Sequence, residues 1–247
     1  MGIQERHARD REARRLAILE AARQLFVSDG YRNVSIRKIA RRVEYSPAAI
    51  YGYFPSKDDI FFALAEEGFR LFSRAMTGGR RPADPLEALR RHILRYYEFS
   101  STEPEYFSLM FLDRSVPRIS RDWERFAFMH QTRQEVADLV EACIAAGVFP
   151  AGVRAAAAFH VLATAIHGAA VIRLSQRFCS PEEADVLARD TLEVALAGLR
   201  TGVRLRFSPS VSHLPNPRRP PAAAPTPRAR RPRRPAAATA DSSEEIR

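Results

Sequence analysis

The chain has little sulfur, two cysteines and four methionines in 247 residues, and a single tryptophan. Cys143 and Cys179 sit within apolar helical stretches and read as small buried hydrophobes rather than a disulfide or redox pair. CxxC spacing, a Glu-x-x-His pair, a Gly-rich phosphate loop and a nucleophile elbow are all missing, so the patterns that announce common metal, nucleotide and hydrolase chemistry are not present. His160 and His167 stand seven residues apart, about 10.5 Å along a helix, too far to share one metal at coordination distances near 2 Å. The reading is of a protein that binds rather than catalyses, with no catalytic residue, metal or cofactor. No uninterrupted run of about 18 apolar residues occurs, and the first residues lead into an amphipathic helix rather than an apolar signal core, so a soluble cytoplasmic protein is expected.

What is present is positive charge and helical periodicity. The formal net charge is +10, the pI is near 10.4, and 46% of residues are hydrophobic, enough for a core. Such basicity favours a polyanionic partner. Half of the excess lies beyond Ser208, where eight arginines, among them Arg218, Arg219, Arg230 and Arg231, face only Asp241, Glu244 and Glu245. That segment is rich in Pro, Ala and Arg, lacks large apolar residues, and is expected to be a disordered tail over 206–247. It either adds salt-sensitive affinity for DNA or is a solvated extension without consequence.

Ile18, Ala21, Ala22, Leu25 and Phe26 form one apolar stripe on a helix that Gly30 ends. Ser35 is a good N-cap for a second helix, which turns Ile36, Ile39, Ala40 and Val43 inward and Arg37, Lys38, Arg41 and Arg42 to solvent. After a turn at Glu44-Tyr45, Ser46 caps a third helix with Pro47 at its first position, and Ile50 and Phe54 point inward. Pro55-Ser56 breaks and recaps the chain before a long fourth helix from Lys57 to Met76. Three short helices with a tight turn between the second and third can present a short helix to the major groove, although an ordinary helical subdomain has the same pattern.

The residues themselves narrow this. Ile18-Leu19-Glu20-Ala21-Ala22-Arg23-Gln24-Leu25-Phe26, Gly30-Tyr31, Ser35-Ile36-Arg37-Lys38-Ile39-Ala40, and Ser46 through Lys57 closely resemble the DNA-binding domain of the TetR (tetracycline repressor) family over roughly residues 12 to 60. One departure is visible: the family often has Gly where this chain has Glu44, at a turn position that favours a left-handed backbone. The resemblance implies an all-α fold, with a flexible basic arm over 1–11, a helix-turn-helix domain over 12–58, and a helical ligand-binding and dimerisation domain over 59–205. It implies phosphate contacts from Tyr51, Tyr53 and Lys57 and a base-edge contact from Arg37. Ser35, Lys38, Ser46, Pro47, Ala48 and Ala49 complete the expected DNA surface. The third helix offers no bidentate hydrogen-bonder besides its tyrosines and cap, so its readout is expected to rest on thymine methyls and groove shape.

Further helical patterns run over 85–100, 104–112, 120–146, 152–178 and 181–202, without competing strand alternation. The last two long helices have the apolar surface for the family's homodimer interface, or for closing the monomer's own core. The middle helices are dense in aromatic residues. Tyr96, Phe99, Phe107, Met110, Phe111, Trp123, Phe126, His130 and His167 are the candidates to line a pocket for a small apolar or amphipathic effector, against the alternative of ordinary core packing. Ile166-His167-Gly168 is similar to the His-Gly signature of the family's WHG-type C-terminal domains, without the tryptophan often found before it. The expected function is a homodimeric repressor that an effector releases from operator DNA. A regulator without an effector, an activator, and an all-α carrier or enzyme with a vestigial head are the other readings.

Overall fold

In a computed structural model that describes residues 2–113, 115–116, 128–177 and 179–207, the side chains of residues 3 and 128–130 excepted, the described residues are helical and contain no strand. The expected tail from residue 208, and Trp123 and Phe126, lie outside these residues, as does the side chain of His130.

The head is built as the caps dictate. Helix α1 (Ile3–Asn33) carries the apolar stripe and breaks at Gly30, whose φ of 72° suits glycine, before a last turn to Asn33. Residues 3–11, where a basic arm is expected, form the first turns of α1. Helix α2 (Ile36–Arg42) begins where the Lys38 amide donates to the Ser35 hydroxyl at 3.2 Å. Helix α3 (Pro47–Tyr51) begins where the Ala49 amide donates to Ser46 at 3.1 Å. Between them Glu44 has a φ of 58°, the left-handed conformation expected for that turn, at a cost of about 1 kcal/mol for a residue with a Cβ. Ile18, Ala22, Ile39, Ala40, Ile50 and Phe54 close the core of this unit.

Helix α4 (Lys57–Thr77), capped by Ser56, belongs to both halves. Its Phe61 packs edge-on against Phe26 and Tyr31 of α1, while Phe69 and Phe72 pack into the body. The body continues with α5 (Pro85–Thr102), α6 (Pro104–Phe107) with a following π-helical turn (Ser108–Leu112), α7 (Phe128–Ala145), α8 (Ala155–Ser175) and α9 (Pro181–Arg200). Helix α8 packs against α5, α7 and α9 and buries Ala157, Ala158, Leu162, Ile166, Ala169 and Ala170. Among the described residues it is the one helix long and apolar enough to cross a bilayer. Its length is interrupted by His160, Thr164, His167 and Arg173. Burial pushes the Cys143 thiol up to about 11, as suits an inert core residue.

Candidate nucleic-acid interface

The turn between α2 and α3 is anchored by the Tyr45 amide, which donates to the Ala40 carbonyl at 2.9 Å. It leaves the outer faces of both helices open. Arg37, Arg41, Arg42, Pro47, Ala48 and Ala49 are exposed, and Tyr51 is 55% exposed despite its large ring. Arg37 has no side-chain partner among the described residues. Lys38 is tied to Asp29 by an ammonium–carboxylate contact of 2.6 Å, which holds the Asp29 carboxyl below its usual range. Arg42 donates to the Gln24 amide oxygen at 2.9 Å, which steadies α2 against α1. Ser35 and Ser46 use their hydroxyls as caps, so they order the helix starts.

Two of the expected phosphate contacts differ from each other in setting. Tyr53 is half-buried, with the Arg11 guanidinium 5.2 Å from its ring centroid, and its phenol raises the pKa of the neighbouring Arg14. Lys57 faces inward: its ammonium donates to the carbonyls of Tyr31 at 2.9 Å and Val34 at 3.1 Å and lies 4.0 Å from the Tyr31 ring centroid. Those carbonyls end α1, so Lys57 adds a charged donor to a helix terminus where the Tyr31 carbonyl otherwise accepts only a 3.3 Å bond from the Val34 amide. The Tyr31 hydroxyl donates in turn to Asp58, which fixes the start of α4 to the end of α1 from both sides. Arg11 and Arg14 were not among the expected site residues; the spacing of Arg14 and Arg11 back from Ile18 was the signal available for them.

In the body, Tyr96, Phe107, Phe111 and His167 come together. The Tyr96 hydroxyl is hydrogen-bonded to His167 Nδ1 at 2.8 Å, Phe107 stacks on the imidazole at 5.7 Å, and Phe111 meets Tyr96 at 5.6 Å. Burial lowers the His167 pKa and raises that of Tyr96, so the pair is neutral and polar within an apolar ring cluster. Phe99 joins through Phe72, 5.2 Å away, and Phe72 also meets Tyr96 and Phe111. Phe69 and Phe72 were missed as cluster members because α4 rings at helical spacing read as plain core. Met110 is buried where α4 passes closest: a Cβ at Gly68 would come within 2.6 Å of the Met110 sulfur and 2.9 Å of Tyr106 Cδ1. The same short segment touches the head, since the Arg23 guanidinium of α1 lies 3.6 Å from the Glu105 carboxylate of α6 and 2.7 Å from Glu20.

Residues 18–64 match the model of the family described as "Bacterial regulatory proteins, tetR family". The chain is 28% identical over 101 residues to the "Uncharacterized HTH-type transcriptional regulator YuxN" of Bacillus subtilis, covering 40% of this chain and 35% of that protein. It is 41% identical over 54 residues to the "HTH-type transcriptional repressor AcnR" of Corynebacterium diphtheriae, covering 22% and 28%. The matched part thus spans about a third of the length of these curated relatives. The fold is similar to that of the TetR family transcriptional regulator PfmR from Thermus thermophilus, with a TM-score of 0.58 at 24% identity over 74% of this chain and 98% of that one.

Proposed function

We propose, from the premise that this chain is a tetR-family transcriptional regulator, that it acts as a homodimeric repressor released from operator DNA by a small apolar or amphipathic effector. The observation that carries the DNA half is the exposure of the outer residues of α2 and α3, with Arg37 solvent-facing and unpaired among the described residues and Tyr51 exposed as well. Arg37 is the group suited to take guanine O6 and N7 together, and Tyr51 and Tyr53 donate to phosphates beside it. Pro47, Ala48 and Ala49 offer apolar contact to thymine methyls. Chromosomal DNA as partner places the protein in the cytoplasm. A membrane partner has no role in this reading.

Pairing is supported by the outer faces of α8 and α9. Val186, Leu187 and Val194 are 55%, 41% and 72% exposed, and Ala156, Thr164 and Gly168 leave the surface of α8 low enough for close helix approach. A third helix of five residues makes few contacts alone, and two heads about 34–36 Å apart reach successive major grooves. Release is supported by the route from cluster to head. An effector entering among Tyr96, Phe107, Phe111 and His167 meets Phe69 and Phe72 on α4, whose first residues are fixed to α1 by Lys57 and Asp58. It needs only to favour one head spacing over another.

Gel retardation on the DNA upstream of the chain's own gene, at two salt concentrations, tests the reading. Arg37→Ala is expected to lose about 1–3 kcal/mol of discrimination and keep nonspecific binding. Unchanged discrimination removes the role of Arg37, and no retardation of the wild type removes the repressor.

A further inference from the structure

The inward face of α1 does not stop where the core stops. Counting back from Ile18 in helical steps of four and three gives Arg14, Arg11, His7 and Gln4, which share the side that buries Ile18, Ala22 and Leu25 farther on. The stripe turns from apolar to basic and polar, and all four of these residues are exposed. The acidic neighbours Glu5 and Glu12 lie on the other side, where Glu12 pairs with Arg15 at 3.4 Å and Glu5 accepts from the Gly2 amide at 2.9 Å; Asp10 flanks the stripe. One of the four is fixed against the recognition surface: Arg11 donates to the Gly52 carbonyl at 3.2 Å at the end of α3 and its guanidinium lies 5.2 Å from the Tyr53 ring centroid, and Arg14 follows on the same side of α1. From there the stripe continues to Gln4, ten residues before Arg14 and so about 15 Å along the axis, the length of about four base-pair steps of duplex at 3.4 Å each.

We propose that Gln4, His7, Arg11 and Arg14 form a phosphate-binding edge that grips the DNA backbone alongside α3. This rests on the DNA-binding reading above and adds to it a second element with its own contacts. Continuity with Tyr51 and Tyr53 and the sign of the charge select the duplex over other anionic partners. Arginine guanidinium groups and the side chains of glutamine and histidine all donate to phosphate oxygens, and such contacts set register and salt dependence rather than sequence preference.

The test titrates the full-length chain with a mixed-sequence duplex long enough for two half-sites, over a series of salt concentrations. Arg11→Gln/Arg14→Gln keeps a donor side chain opposite the Gly52 carbonyl and removes both charges. The slope of log K against log salt is expected to fall by about 1.8 per protomer, two contacts at about 0.9 each. Gln4→Glu/His7→Glu, at the outer end and away from α3, is expected to weaken binding at low salt by on the order of tenfold while the melting temperature stays at the wild-type value. A wild type that binds with the same slope and affinity as both variants overturns the edge and leaves the helix-turn-helix reading standing. A wild type that binds no duplex overturns both. If the arginine pair also lowers the melting temperature, the outer pair alone decides.

Discussion

Lys57 separates two roles that a basic residue at the start of α4 could have. Lys57→Met keeps the length and apolar stem of the side chain and removes its ammonium. In the structure that ammonium makes two charge-assisted hydrogen bonds, to the buried residues Tyr31 and Val34 through their carbonyls, and lies over the Tyr31 ring. Bonds to charged groups contribute about 1.5–3 kcal/mol each, and partial exposure of Lys57 reduces this, so a loss of roughly 2 kcal/mol is expected for the pair. For a protein of this size that is a fall in melting temperature of about 4–8 °C. Calorimetry and urea unfolding give the stability; anisotropy against a duplex at several salt concentrations gives the phosphate count. The expectation is a clear loss of stability with an unchanged salt slope. An unchanged melting temperature with a slope lower by about 0.9 per protomer would refute the clamp and return Lys57 to the DNA backbone.

Tyr96→Phe leaves His167 Nδ1 without its partner while the ring contacts remain, and urea unfolding should show a loss of about 1 kcal/mol; no coupling in a double-mutant cycle with His167→Leu would remove the pair as a polar centre. Burial depresses the pKa values of His92 and His167 in the folded state, so the unfolded chain binds more protons below about pH 6.5. Stability is therefore full above the ordinary histidine pKa and falls as the pH drops through the window beneath it, and His92→Gln should flatten a plot of melting temperature against pH there. Leu187→Glu/Val194→Glu places charge on the outer face of α9, and sedimentation should show monomers that stay folded; an unchanged dimer would move the interface elsewhere.

The head was legible because its signals are local. Ser35, Ser46 and Ser56 each cap the helix that their position announces, and Ile18, Ile39, Ile50 and Phe54 are buried where periodicity places them. Glu44 shows how little a turn needs: the backbone takes the left-handed form that the resemblance implies even without glycine, because a cost near 1 kcal/mol is small beside the core on either side. The helical start of α1 was missed since Gln4, His7, Arg11 and Arg14 keep the period but not the apolarity by which a stripe is recognised. The inward turn of Lys57 was also beyond the sequence: a lysine's partner is set by chain folding that brings residues 23 and 26 positions away to its ammonium. In the body, helix identities followed from pattern, while the meeting of Phe72 with Tyr96 and of Tyr96 with His167 depends on how α4, α5 and α8 pack.

Gly68 has a consequence for how release could be separated from chemistry. The methionine sulfur and the tyrosine ring occupy the space that any side chain there would need, and both belong to the segment whose Glu105 faces Arg23 of the head. Alanine at that position is a wedge built into the polypeptide. It presses on the contact between α4 and the Tyr106–Met110 segment with no binding equilibrium and no solubility limit, so under the release proposed above a Gly68→Ala protein is expected to leave the promoter free in cells without any added small molecule.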